Sequence, residues 1–122
     1  MNSTMSQLTN IIAGLKTVLS VPVYSDNVPE NQQTTAVSVI NLAMATDRNF
    51  VDGSRSGRTS NWRVTVVSKD YAELESVVEE LETLDNKSIN GFQKVFVDHT
   101  RYEPREYSEP FRRAFVTIRA YV

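Results

Sequence analysis

Residues 59–84 read TSNWRVTVVSKDYAELESVVEELETL, and one periodicity gives way to another inside them. Up to Lys69 apolar and polar residues alternate. Trp62, Val64 and Val66 fall on one side and Arg63 and Thr65 on the other, the pattern of a half-buried strand. From Tyr71 the spacing becomes three and four. Leu74, Val77, Val78, Leu81 and Leu84 then form the single stripe of an amphipathic helix. Asp70 stands at the switch and Glu73 follows three residues later, the spacing of a capping box. So short a join predicts a helix folded straight back onto the strand's own sheet. Its apolar stripe, at ~1.5–3 kcal/mol per fully buried residue, contributes on the order of 10 kcal/mol gross, most of it offset by chain entropy.

Upstream, Leu8, Ile11, Ile12, Leu15, Val18 and Leu19 recur at helical spacing and predict a helix over about 4–19. Thr4 and Gln7 offer it a capping box, and Pro22 stops it. A short extended piece at 21–24 leads into the polar loop SDNVPENQQ. Residues 34–46 read as a strand with Val37 and Val39 on one face and Ala36, Ser38, Ile40, Leu42 and Met44 on the other. Residues 47–58, DRNFVDGSRSGR, far exceed the two to five residues of a common hairpin loop. They read as a long flexible loop, either a contact arm or a disordered tip, and as an arm its candidate contact residues are Arg48, Phe50, Asp52, Arg55 and Arg58.

Downstream of the second helix, DNKSING reads as a turn. Strands follow at 92–102 and 111–122. The last has Ala114, Val116, Ile118, Ala120 and Val122 on one face and Arg113, Phe115, Thr117, Arg119 and Tyr121 on the other. The order α-β-β-β-α-β-β, with strands joined by loops, predicts one α+β domain spanning 1–122. Its sheet is expected to be mainly antiparallel, with both helices packed on one face.

The totals narrow the function. The net charge of -2 argues against a dedicated nucleic-acid binder, which carries a basic surplus. The chain has no cysteine, which excludes a disulfide framework and a thiolate metal site. The longest apolar-rich run, AVSVINLAMA at 36–45, is half the ~20 residues of a membrane helix and is interrupted by Ser38 and Asn41. The N-terminus lacks a basic export region, so no membrane partner is expected. The one histidine, His99, neighbours Asp98 on a strand, where adjacent residues point to opposite faces. No P-loop, GxGxxG or GxSxG occurs. No catalytic, cofactor or metal site is predicted.

Charge distribution says more. Glu75, Glu79 and Glu82 stand one above another on the second helix, which has no lysine to offset them. Arg101, Arg105, Arg112, Arg113 and Arg119 crowd the last third of the chain. An acidic and a basic surface on one small domain suit head-to-tail self-association, which closes into a ring when the rotation allows. Arg112 and Arg113 against a neighbour's Glu75, Glu79 or Glu82 are the candidate pairs. Their alternation points them to opposite faces, so at most one of the two is expected to meet that partner.

The chain resembles the tail terminator, or tail completion, proteins of long-tailed bacteriophages. The resemblance runs through the leading amphipathic helix, VPVYSD at 21–26, the WRVTVVSKDYAEL join at 62–74 and the arginine-rich EPFRRAFVTIRAYV at 109–122. It implies a non-enzymatic virion protein, assembled in the host cytoplasm, that forms a ring, usually a hexamer, at the head-proximal end of the tail tube. Such a ring stops tube polymerisation and offers the docking surface for the head-closure or connector protein. DNA passes through its lumen without specific binding. Two other readings stand beside it, a head-closure or adaptor protein of the same virion and a small-molecule-binding α+β domain.

Overall fold

The computed structural model describes residues 4–29, 32, 34–46, 58–89, 92–104 and 110–121; for 4–6, 43–46, 58 and 59 it describes the backbone alone. The switch at 59–84 folds as its periodicity requires. Strand β3 (Arg58–Ser68) buries Trp62, Val64 and Val66, and helix α2 (Tyr71–Glu82) packs Leu74, Val77, Val78 and Leu81 over them, with Leu84 buried just beyond. Asp70 caps the helix, its Oδ1 accepting from the Ala72 N–H at 2.9 Å. The capping box is not completed as expected. The Asp70 N–H goes to Ser68 Oγ at 3.0 Å, while Glu73 accepts from Thr35 Oγ1 at 2.5 Å. A serine two residues before the cap has taken the partner, which frees Glu73 to tie α2 to Thr35, just ahead of the strand that neighbours β3 in the sheet.

The remaining elements are α1 (Thr4–Val18), β1 (Val23–Ser25), β2 (Ala36–Thr46), β4 (Lys87–Ile89), β5 (Phe92–Glu103) and β6 (Arg112–Tyr121). The strands form one sheet in the order β1-β2-β3-β6-β5-β4. β3 and β6 sit at its centre and are antiparallel, with Trp62 opposite Ile118 and Val64 opposite Val116. Helix α2 lies over these two strands. Helix α1 packs on β1 and β2 at one edge and also reaches β4 at the other, so the sheet curls part-way round it. Both helices occupy the same face. They share one core with the inward side chains of β2, β3, β5 and β6.

Four local expectations change. β1 runs parallel to β2, pairing Val23 with Val37, because the 26–35 connection carries the chain back before it pairs. The DNKSING segment contains strand β4, paired with β5, and Asn86 takes the positive φ of 65° that the turn into it needs. Arg58 belongs to β3, opposite Thr46, and not to the long loop. Helix α1 already includes Thr4, and Gln7 is buried on the inward stripe with Ile11 and Leu15. Neither amide atom of Gln7 has a hydrogen-bond partner, so Gln7 caps nothing.

Candidate functional site

Two charged surfaces stand out, one on each side of the sheet. The first is the outer face of α2. Glu75, Glu79 and Glu82 are exposed, and no basic residue occupies the last turn of the helix. The carboxylates lean toward the inward side of β5. Thr100 Oγ1 donates to Glu82 Oε2 at 3.2 Å, and the Tyr102 ring lies 5.9 Å from that of Tyr71. The Tyr102 phenol is pushed above its ordinary pKa of 10.0, first by burial, then by Tyr71 and by the negative charge of Glu75, Glu82 and Glu79. Arg112 belongs to this side as well, its Cζ 5.4 Å from the Tyr71 ring centroid.

The second surface is the sheet face without helices. Alternation delivers the complementary set of side chains there, and the register arranges them into a ladder of arginines and aromatic rings. Arg101 of β5 stands opposite Phe115 of β6, and Arg63 reaches the same ring from β3; the two guanidinium carbons lie 5.2 and 5.3 Å from its centroid. Arg119 stands opposite Phe96, 5.1 Å from that ring and 5.7 Å from Tyr121, and the two rings meet edge-on at 5.6 Å. Arg119 is also held by Asp98 Oδ1 at 3.2 Å and donates to Tyr121 Oη at 3.1 Å. Arg113 pairs with Glu103, its cross-strand neighbour, at 3.6 Å.

The ion pairs on this face are unevenly shared. Arg113 and Arg119 each face a carboxylate, whereas Arg63 and Arg101 have none among the described residues. The Nε of Arg63 is buried without a hydrogen-bond acceptor. Beside the ladder, the turn at 26–29 and the Gln32–Thr34 hydrogen bond stand over the sheet and enclose an open cleft of about 550 Å³. Arg63, Arg113, Phe111 and Phe115 contribute to its floor. Tyr24 Oη fixes this wall by donating to Gln32 Oε1 at 2.8 Å.

The predicted residues distribute as follows. Arg48, Phe50, Asp52 and Arg55 lie outside the described residues, and Arg58 is placed by its backbone at the start of β3. Arg112 and Arg113 do face opposite ways, and Arg113 is the one on the helix-free face. Asp98 and His99 do not follow simple alternation. A bulge between Val97 and His99 sends the Asp98 carboxylate to Arg119 and sets His99 opposite Thr117. Among the described residues no group of three or more His, Cys, Asp or Glu is placed to hold a metal ion. The pairing of Arg63 with Arg101 was not anticipated, because it spans β3 and β5, whose adjacency to β6 no local pattern reveals. The signal available was the arginine opposite Trp62 in the alternation.

No protein-family model and no curated protein matches the sequence. Solved structures do share the fold. A chain from the virion of a native gene transfer agent particle superposes with a TM-score of 0.62, covering 95% of this chain and 89% of that one at 16% identity. A second solved protein of nearly the same length superposes with a TM-score of 0.55, covering 98% of this chain and 97% of that one at 17% identity.

Proposed function

We propose that this protein is a structural component of a phage-like particle, and more closely a tail terminator. In this reading it forms a ring, usually of six copies, on the head-proximal end of the tail tube, stops tube growth and presents a docking surface to the head-closure or connector protein. The observation that carries the reading is the likeness of fold, over 95% of the chain, to a protein of a gene transfer agent virion. The charge layout supports the ring. An acidic helix surface and a basic sheet surface point away from one another, which is the geometry of a heterologous, head-to-tail contact. The 47–57 segment, with Arg48, Phe50, Asp52 and Arg55, serves as an arm toward the tube or the head, and Arg58 stands at its root on β3. No described helix is long and apolar enough to cross a membrane.

The test adds the purified protein to polymerising tube protein and follows tube length by electron microscopy. Tubes that stop short, each with a ring at one end, are the expected result. A protein that stays monomeric at every concentration and leaves tube length unchanged ends the terminator reading. A protein that binds the connector but leaves tube growth unchanged is an adaptor instead.

A further inference from the structure

The helix-free face of one copy and the acidic helix of the next have matching charge and matching spacing. We propose that, in the ring proposed above, α2 of each copy docks on the arginine–aromatic ladder of its neighbour, with Glu75, Glu79 and Glu82 seated on Arg63 and Arg101 across Phe115. The inference rests on the ring reading and specifies the surface that closes it.

Three observations carry it. The first is the charge imbalance. Arg63 and Arg101 are the two ladder arginines without a carboxylate among the described residues, and the acidic stripe has no cation in the last turn of its own helix. Tyr102 reports the unneutralised field, since the three glutamates help to raise its pKa. The second is distance. Glu75 to Glu82 spans seven residues, about 10.5 Å along a helix. Arg63 and Arg101 lie two strands apart and two residues out of register, and their guanidinium carbons, 5.3 and 5.2 Å from one Phe115 centroid, are no more than about 10.5 Å apart. A helix laid diagonally over the three strands therefore has its first and last carboxylates within reach of the two guanidinium groups. The third is preparation. Phe115 holds both arginines side by side before any partner arrives, so little side-chain freedom is lost on docking. Arginine and aromatic residues together are also the composition of interface anchors.

A second copy fits this face better than a nucleic acid does. The ladder already contains two carboxylates, Asp98 and Glu103, and Asp26 stands at the rim of the cleft. A polyanion would meet all three. A helix with three carboxylates at fixed spacing engages the unpaired arginines alone. Arg113, already paired with Glu103, then lines the contact without anchoring it. Arg112 stays beside its own helix over Tyr71.

Charge reversal in both directions tests the contact. The variant Arg63→Glu with Arg101→Glu makes both surfaces acidic, and Glu75→Lys with Glu79→Lys makes both basic. Sedimentation of each variant alone is expected to show self-association weakened by about tenfold or more, while circular dichroism stays that of the wild type. An equimolar mixture is expected to regain association, because each surface again meets its opposite. Variants that assemble as the wild type does overturn the docking surface and leave the ring reading intact. A wild-type protein that forms no ring, alone or on tubes, removes the ring reading itself. If the arginine variant loses binding to a single-stranded oligonucleotide while its self-association is unchanged, the face is a polyanion site and the inference fails. Should the double arginine variant not fold, Arg101→Glu alone, at an exposed position, carries the same test against the glutamate variant. The chain has no cysteine, so Arg101→Cys combined in turn with Glu75→Cys and with Glu82→Cys gives a clean cross-linking readout. A ladder of disulfide-linked oligomers is expected, and a cross-link-free protein that still assembles overturns the contact.

Discussion

The two faces of the sheet are written in the same strands, one residue out of phase, and they solve different problems. On the helix-covered face Val37, Val39, Trp62, Val64, Val66, Val116 and Ile118 are fully buried. Stability there comes from apolar area removed from water and from close packing. On the other face the same strands present Arg63, Thr65, Arg101, Phe115, Arg119 and Tyr121, all partly or fully exposed. Contacts there are cation–π pairs and surface ion pairs, worth roughly 0.5–1 kcal/mol each at exposed sites. A face held by such weak pairs contributes little to folding, yet arginines and rings are kept in fixed positions on it. The contrast marks the first face as the core and the second as a surface prepared for a partner.

Truncating one large ring on each face measures that contrast. Trp62→Ala removes the largest fully buried side chain and orphans Ser60 Oγ, which accepts from Trp62 Nε1 at 2.8 Å. A loss of about 3–5 kcal/mol is expected, read from the denaturant midpoint at unchanged slope. Phe115→Ala removes the ring clasped by Arg63 and Arg101, and its expected cost is about 2 kcal/mol, mostly two cation–π contacts and partial burial. The same variant should weaken self-association, which Trp62→Ala should affect only through folding. Equal losses of stability from both substitutions would erase the distinction between the faces.

Much of this fold was legible in short-range pattern. Trp62, Val64 and Val66 alternated with Arg63 and Thr65, and the stripe from Leu74 to Leu84 switched period at Asp70, so the strand, the cap and the buried face of α2 followed directly. The features that escaped depend on partners distant in sequence. β4 is three residues long and gains its hydrogen bonds only from β5, so no periodicity announces it. The parallel pairing of β1 with β2 depends on how the 26–35 connection returns. Glu73 has the spacing of a capping residue, but Ser68 reached the Asp70 N–H first. The acidic stripe was readable because helical spacing fixes it locally. Its proposed counterpart, Arg63 with Arg101, was not, because it needs the strand order β3-β6-β5.

The core face also contains one residue that belongs chemically to the other. Gln7 is 1% exposed on the inward stripe of α1, and neither its Nε2 nor its Oε1 has a partner. A buried amide left unsatisfied costs about 1–3 kcal/mol, and leucine has similar volume without the polar atoms. Gln7→Leu is therefore expected to raise stability by about 1 kcal/mol, seen as a higher denaturant midpoint. A lower midpoint would show that the amide is needed where it stands.

The smallest effect separates the acidic surface from the ladder. Tyr102 lies against the glutamates of α2, and burial together with Tyr71, Glu75, Glu82 and Glu79 raises its pKa above 10.0. In the unfolded chain the phenol ionises near that ordinary value, before the folded one does. The folded state therefore holds the proton longer, and Tyr102's contribution is complete below pH 10 and lost as the pH climbs through the raised folded value. Tyr102→Phe has no proton to lose. Its stability should match the wild type below pH 10 and fall less steeply above it, with the ionisation of Tyr102 missing from an ultraviolet titration. Glu79→Gln should move that tyrosine back toward its ordinary pKa, whereas Arg63→Gln, on the far face, should leave it in place. A response to Arg63→Gln as large as that to Glu79→Gln would mean that the sheet does not insulate one charged surface from the other. The two would then have to be treated as a single electrostatic site.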